Sequence, residues 1–562
     1  MFEDLSDSIS STINDTLGPI ASFLEGYVWS WPEQVPLLAV LLLGTGLFVT
    51  VRLGLIQVRG FKHAVDIARG KFDDPDDDGD LAHYQALTTA LSATVGIGNI
   101  AGVAIAIRLG GPGALFWMWV TAFFGMALKF AECTLAVAHR TVHEDGSVSG
   151  GPMYYIERGL GPSWKWMAIL FAALAAICSF GTGNMNQANT MADQLESQFG
   201  VDPIWSALVF AALIAVVIVG GIRRIGRVTS ILAPSMAAVY VGGALVILLL
   251  NLSAVPAGFA LIVQQAFAPT SMVGGAAGSF LMTLMWGVRR GLFSNEAGQG
   301  SAPIAHAAAR TDEPVREGLV ASLEPFIDTL VICTMTGLVI VTTGVWKEKV
   351  EQTLSLGDVE AVIGQVSEDA QLQALWDERA EWSESKSLEV RDGAVTGGAL
   401  VALNALVEDV AIEADGRPWT GTLTVAPSGA VSSQDAGLSI TGKALLIGAP
   451  LTASAFRAGL PGERGDLIVT FSVLLFAIST AISWSYYGDR ATEYLFGPRA
   501  IPIYRWVYVF FFFLGCLLPL RTVWTFGDVA LGLMSFPNLI ALLLLSPAVV
   551  KMTKDYFAKL RD

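Results

Sequence analysis

Charge is scarce in this chain, and so are cysteine and histidine. Only 15% of its 562 residues are Asp, Glu, Lys or Arg, against about 25% in an ordinary soluble domain. Hydrophobic residues make up 53%. They fall in repeated apolar runs near the ~20 residues that cross a bilayer core about 30 Å thick. The short alternating segments of a membrane β-barrel are missing. Together these exclude a soluble globular protein and a barrel, and imply an all-α polytopic protein of the lipid bilayer. The four cysteines, Cys133, Cys178, Cys333 and Cys516, all sit in apolar segments with no two close together. They offer neither a disulfide framework nor a metal site. Five scattered histidines and these cysteines supply no convergent nucleophile–base pair or metal cluster, so the chain does not read as an enzyme. No cofactor and no nucleic-acid partner is expected. The first residues, "MFEDLSDSISSTINDTLGPIASFLEG", carry no Lys or Arg and no compact apolar core, and do not read as a cleaved signal peptide. Phe2, Leu5, Ile9, Ile13 and Leu17 recur every three or four residues, the spacing of an amphipathic helix on a membrane surface.

What is present is a series of eleven expected spans, near 36–56, 85–107, 112–139, 165–187, 203–222, 228–250, 276–309, 317–345, 466–486, 503–520 and 523–549. With the N-terminus outside, the cytoplasmic segments hold twenty Lys and Arg between Arg52 and Arg561, while the short outer segments hold only Arg108 and Arg521. This bias orients the chain with its C-terminus in the cytoplasm, and the inner (plasma) membrane is its expected place. Residues 346–445 stand apart: 17 Asp and Glu face 7 Lys and Arg, a net −10 of the chain's −16. Strand-like stretches "GTLTVAPSGAV" and "GLSITGKALLIG" follow an acidic stretch, which predicts a small folded external insert rather than a bare loop. A second acidic run, "DDPDDDGD" at 73–80, reads as a solvated face. The expected organisation is an amphipathic segment over 1–30, a leading helix with the first repeat and the start of the second over 31–345, the insert over 346–445, and the remainder over 446–562.

The second span contains "SATVGIGNIAGVAIAI" at 92–107, with Gly96, Gly98, Asn99 and Gly102 at its middle. Each Gly costs a helix interior about 1 kcal/mol relative to Ala, and an Asn at membrane depth must find partners or line a cavity. A break here frees backbone N–H groups at the start of a second half-helix, where the helix dipole attracts a carboxylate. The carbonyls of Ala93 and Gly96 then become candidate cation ligands. Close helix packing on small residues is the structural alternative. The seventh span repeats the theme in "WGVRRGLFSNEAGQGSAPIAHAAA" at 286–309, and both segments contain N-x-A-G, at Asn99–Gly102 and Asn295–Gly298. Gly-interrupted helices at matching places in two five-span halves point to a transporter's binding site. Gln187 ends the fourth span, and "STAISWSYYGD" in the ninth offers Ser479, Thr480 and Trp484. The two hydroxyls suit a sodium site of hard oxygens; Thr480 and Trp484 share a helix face. Lys129, Glu132, Arg289, Arg290, Glu296, Glu324 and Asp328 are ionisable residues in or near spans, and Lys129 and Glu132, three apart, are expected to pair.

These stretches resemble the alanine or glycine:cation symporters, also called sodium:alanine symporters. The likeness rests on "ALSATVGIGNIAGVAIAIRLGGPGALFWMWVTAFFGMALKFAE", "GGPMYYIERGLG", "RRGLFSNEAGQGSAPIAHAAA" and "FAISTAISWSYYGD". The resemblance implies a LeuT-type 5+5 inverted repeat plus one leading helix, and a small neutral amino acid, alanine or glycine, carried inward with sodium. It implies that Gly96, Gly98 and Asn99 hold the substrate's carboxylate, that Gln187, Thr480 and Trp484 line the pocket, and that Met282 and Trp286 wall its side-chain end. Sodium is expected at Ala93, Gly96, Ser479 and Thr480. The insert at 346–445 departs from the family pattern. Two alternatives remain beside sodium symport: proton coupling through His306 or Glu296, and an ion channel with the broken helices as a filter.

Overall fold

The computed structural model describes residues 23–561 except 30, 33–35, 145–147, 269–274, 365, 367, 368, 370, 371, 404, 415, 434, 436, 463 and 519. The expected amphipathic helix over the first residues lies outside these, apart from a short helical stretch at 23–29.

A helix occupies each of the eleven expected positions. Seven helices are long and apolar enough to cross a membrane, or eight when His83–Thr94 and Gly98–Gly110 are counted as one bent span. Leu37–Arg52 and Pro203–Ile218 are apolar but shorter. Apolar side chains stay exposed on the outward faces of several helices, such as Leu208 and Val216, Leu245 and Leu249, and Trp506 and Phe510. That is the pattern of a face turned to lipid rather than water. Inside, one continuous core runs through all the long helices.

Both stretches expected to be irregular are irregular. The first helix stops at Thr94, where Val95 leaves helical geometry with ψ 87°. It resumes at Gly98 with one wide π-helical turn, bent by 53° from the first half. The other runs over Gly275–Asn295 and then breaks. Glu296, Gly298 and Gly300 all take positive φ before a short helix at Ala302–His306. Two more π-helical segments, Gly181–Met185 and Phe326–Cys333, interrupt the helices opposite. Wide turns of this kind gather at functional sites.

Among the helices that were not foreseen, Val255–Phe267 and Gly448–Gly459 are the longest. The second seats on the latter half of the broken helix: Thr452 Oγ1 donates to the Ile100 carbonyl at 3.0 Å. It follows directly on residues 346–445, which fold as a β-module. One antiparallel sheet orders Arg417–Pro418, Glu408–Ala414, Leu438–Leu445 and Lys349–Leu354; a second orders Val431–Ser432, Gly421–Val425, Lys386–Arg391 and Ala394–Thr396; a third has three strands. The alternating burial of Lys386–Arg391 and Gly421–Val425 closes these sheets over a separate core of Leu388, Val390, Ile412, Trp419, Leu423 and Ile440. Arg108 Nε donates to the Leu446 carbonyl at 2.8 Å and ties the module's exit to the end of the broken helix.

Close packing of Pro314–Ala321 on Ala114–Ala138 depends on Gly318, where a methyl would sit 2.0 Å from Thr134 Oγ1 and 2.7 Å from the Phe130 carbonyl. Gly318→Ala should therefore cost about 1–3 kcal/mol through overpacking. A thermal melt of the purified protein checks it; an unchanged midpoint would contradict the close approach.

Candidate functional site

The break in the first helix leaves backbone donors without helical partners, and side chains supply them. Asn99 Oδ1 accepts from Gly96 N–H at 2.9 Å. Gln187 Oε1 accepts from Ile97 N–H at 3.4 Å, at the long end for such a bond. Gln187 is itself held by donating to the Thr182 carbonyl at 3.1 Å, inside the π-helical Gly181–Met185. Thr480 approaches from the helix Asp466–Phe496: a methyl at Gly96 would lie 2.5 Å from Thr480 Oγ1 and 3.3 Å from Gln187 Oε1. The structure thus brings Gly96, Gln187 and Thr480 to one point. Gly98 faces Phe293 and Ser294 of the second interrupted helix, with 3.1 Å to Phe293 from a methyl placed there.

One turn beyond Thr480, Trp484 is buried with its ring against Gly183, where a methyl would come within 2.2 Å of it. Its Nε1 donates to Glu296 Oε1 at 2.8 Å, so it bridges one π-helical segment and the second break. Met282 and Trp286 do not join this group. A straight helix carries them about 18 and about 12 Å along its axis from Ser294. Trp286 packs against Gly110 and lies under Arg289 and Arg290 instead. The ring beside the break is Phe293, stacked on Trp524 with centroids 5.1 Å apart.

The two hydroxyls expected for sodium meet Ser92. Ser479 Oγ lies 2.7 Å from Ser92 Oγ. Thr480 Oγ1 donates to the Ser92 carbonyl at 3.1 Å. All three are hard, uncharged oxygen donors, the chemistry that suits sodium.

Asn99 also anchors a buried carboxylate. Its Nδ2 donates to Asp328 Oδ1 at 2.6 Å. Ser294 Oγ and Thr329 Oγ1 each donate to Asp328 Oδ2 at 2.7 Å. Ser92, Phe293 and Ser294 carry no mark in the sequence, since nothing near them in the chain sets them apart. Asp328 and Glu296 were marked only by being charged inside apolar runs.

Beyond the second break a second polar group is wholly buried. Lys129 Nζ meets Glu324 at 3.1 Å. His306 bridges Glu324 and Glu317, each at 2.5 Å, and Glu317 also pairs with His83. The expected Lys129–Glu132 pair does not form. The ammonium reaches across to Glu324 on a neighbouring helix, and Glu132 accepts from Asn538 Nδ2 at 2.8 Å instead. On the helix before the second break, Arg289 and Arg290 converge on Asp528, with Arg289 at 2.6 Å. No group of three or more His, Cys, Asp or Glu suited to a metal ion exists among the described residues.

A family model described as the sodium:alanine symporter family matches residues 14–371 and 419–562. The gap between the two matched stretches, 372–418, lies inside the β-module. Among curated relatives, the sodium/alanine symporter AgcS of Methanococcus maripaludis is 40% identical over 539 residues, covering 96% of each chain. A probable sodium/glutamine symporter, GlnT, of Bacillus subtilis is 33% identical over 522 residues, 92% of this chain and 87% of that one. A putative sodium/proton-dependent alanine carrier, YrbD, of the same organism is 32% identical over 538 residues, 95% and 91%.

Removing one partner of a buried ion pair leaves the other charge uncompensated. Lys129→Met should lower stability by about 3–5 kcal/mol, read as an earlier melt of the purified protein. A melting curve matching that of the unaltered chain would refute the pairing with Glu324.

Proposed function

Since this chain belongs to the sodium:alanine symporter family, we propose that it takes up a small neutral amino acid, alanine or glycine, together with sodium, across the plasma membrane. The observation that carries this reading is the meeting of Gly96, Gln187 and Thr480 at a helix break beside the Ser92–Ser479–Thr480 oxygens. The substrate's carboxylate takes the N–H groups at the break, and Gln187 yields Ile97 N–H to it readily, because that bond is long. Sodium beside the break neutralises the carboxylate and organises the backbone that binds it. Relatives bear names for alanine and for glutamine; the family description favours alanine as the first substrate to test here.

Eleven crossings, one leading helix and two inverted five-helix repeats of LeuT type fit the helix positions and the two matching breaks. In that arrangement the N-terminus is outside and the C-terminus cytoplasmic. One half then rocks against the other and opens the site to each side in turn. A sodium ion moving inward through 100 mV gains roughly 2.3 kcal/mol, and its concentration gradient adds to that. The oxygen set at Ser92 favours sodium over the proton as this coupling ion.

Proteoliposomes holding the purified protein should accumulate labelled alanine under an inward sodium gradient and not when sodium is equal on both sides. Uptake indifferent to sodium would sink the reading. Gly96→Ala should abolish uptake, since its methyl meets Thr480 Oγ1 at 2.5 Å. Withdrawing sodium should weaken alanine binding by the same factor that withdrawing alanine weakens sodium binding, because the linkage is reciprocal.

A further inference from the structure

Of the positive-φ residues at the second break, Gly298 and Gly300 are glycines and Glu296, at φ 55°, is not. The left-handed region is uncommon for a residue with a side chain, and such a residue persists where its surroundings hold it. Here they hold the carboxylate. Glu296 is 2% exposed, and each of its oxygens meets a neutral donor. Oε1 accepts from Trp484 Nε1 at 2.8 Å, and Oε2 accepts from Ser301 Oγ at 2.5 Å. Ser301 lies past the break, just before the short helix Ala302–His306. The carboxylate therefore spans the break and reaches from it to the helix Asp466–Phe496, which carries Trp484.

An indole has one donor and no acceptor, and once buried its N–H needs a partner. Glu296 supplies it. The rest of the ring is held by packing alone: it lies against Gly183 and meets Tyr487 edge-on, with centroids 5.2 Å apart. Gly183 belongs to the π-helical Gly181–Met185. The Thr182 carbonyl of that same segment holds Gln187, and Gln187 accepts from Ile97 N–H at the first break. The indole thus stands between the two breaks. The second break fixes its N–H, and the segment that holds Gln187 for the first lies under its ring. Packing limits how far the ring can move; the hydrogen bond selects the orientation in which its N–H is satisfied.

We propose that Glu296 is a positioning residue for the amino-acid site: it fixes the orientation of Trp484 and, through it, the place of Gln187. The proposal rests on the reading of that site given above. It gives the carboxylate an acceptor's task, which an amide oxygen can also perform. In Glu296→Gln the amide oxygen takes the indole N–H, and the amide nitrogen donates to Ser301 Oγ.

The test labels the purified full chain with 5-fluorotryptophan; the resonance of Trp484 is the one absent from Trp484→Phe. Glu296→Leu should shift or split that resonance, and Glu296→Gln should leave it in place. In sodium-driven alanine uptake, Glu296→Leu should raise KM by roughly tenfold, the effect of losing a hydrogen bond to a charged group. In a Trp484→Phe background, where no indole N–H remains, it should raise KM no further. Glu296→Gln should keep the KM of the unaltered chain. An unmoved resonance in Glu296→Leu would overturn the proposal, as would a further rise of KM in the Trp484→Phe background. A Glu296→Gln protein without uptake would also overturn it, and would mark the carboxylate as a proton carrier. Should Glu296→Leu not fold, Ser301→Ala, which frees Oε2, is read on the same resonance, and no change there counts against the proposal equally. If the unaltered chain takes up no alanine with sodium, the transport reading fails, and the resonance alone decides whether Glu296 positions Trp484.

Discussion

Asn99 is the residue on which the centre of this structure depends. Breaking a helix in a medium without water is affordable only when the exposed backbone finds partners. One amide does this twice over: its oxygen takes Gly96 N–H and its nitrogen reaches Asp328. The glycines let the backbone turn, but they hold nothing in place. Asn99 turns a flexible stretch into a fixed one, and it does so by joining the first interrupted helix to the second and to the helix beside it. One π-helical turn holds Asn99 itself, and the two others lie in neighbouring helices.

Charge is arranged in three tiers around that centre. Two guanidinium groups converge on Asp528 beneath Trp29, whose indole donates to the Asp528 carbonyl at 3.0 Å. At the break, Asp328 and Glu296 meet neutral donors only. Beyond the second break, acids and imidazoles alternate from Glu324 to His83. The first and last tiers are paired by charge and the middle one by neutral donors alone.

Much of this was legible in the chain. Glycine at 96 and 98 and again at 298 and 300 announces irregular backbone wherever it falls in an apolar run, and both breaks lie there. Thr480 and Trp484 were legible from their spacing on one face. What was not legible is whatever depends on helices meeting: Ser92 opposite Ser479, Ser294 opposite Gly98, Glu324 taking Lys129 from its neighbour Glu132. Such pairs lie hundreds of residues apart and leave no local trace. Trp286 shows the converse. Its type suits a pocket wall, but helix geometry carries it too far along the axis from the break. The helix Gly448–Gly459 was missed because it is too short and too rich in small residues to read as a span.

The β-module changes how this protein can be seen as well as how it works. Transporters buried in a detergent or lipid belt present little that distinguishes one view from another. Here a three-sheet body with its own core is added, and Arg108 and Thr452 fasten its exit to the second half of the broken helix. It is a built-in landmark for aligning single-particle images, and its tilt against the helices would report directly on the position of the half-helix beneath it.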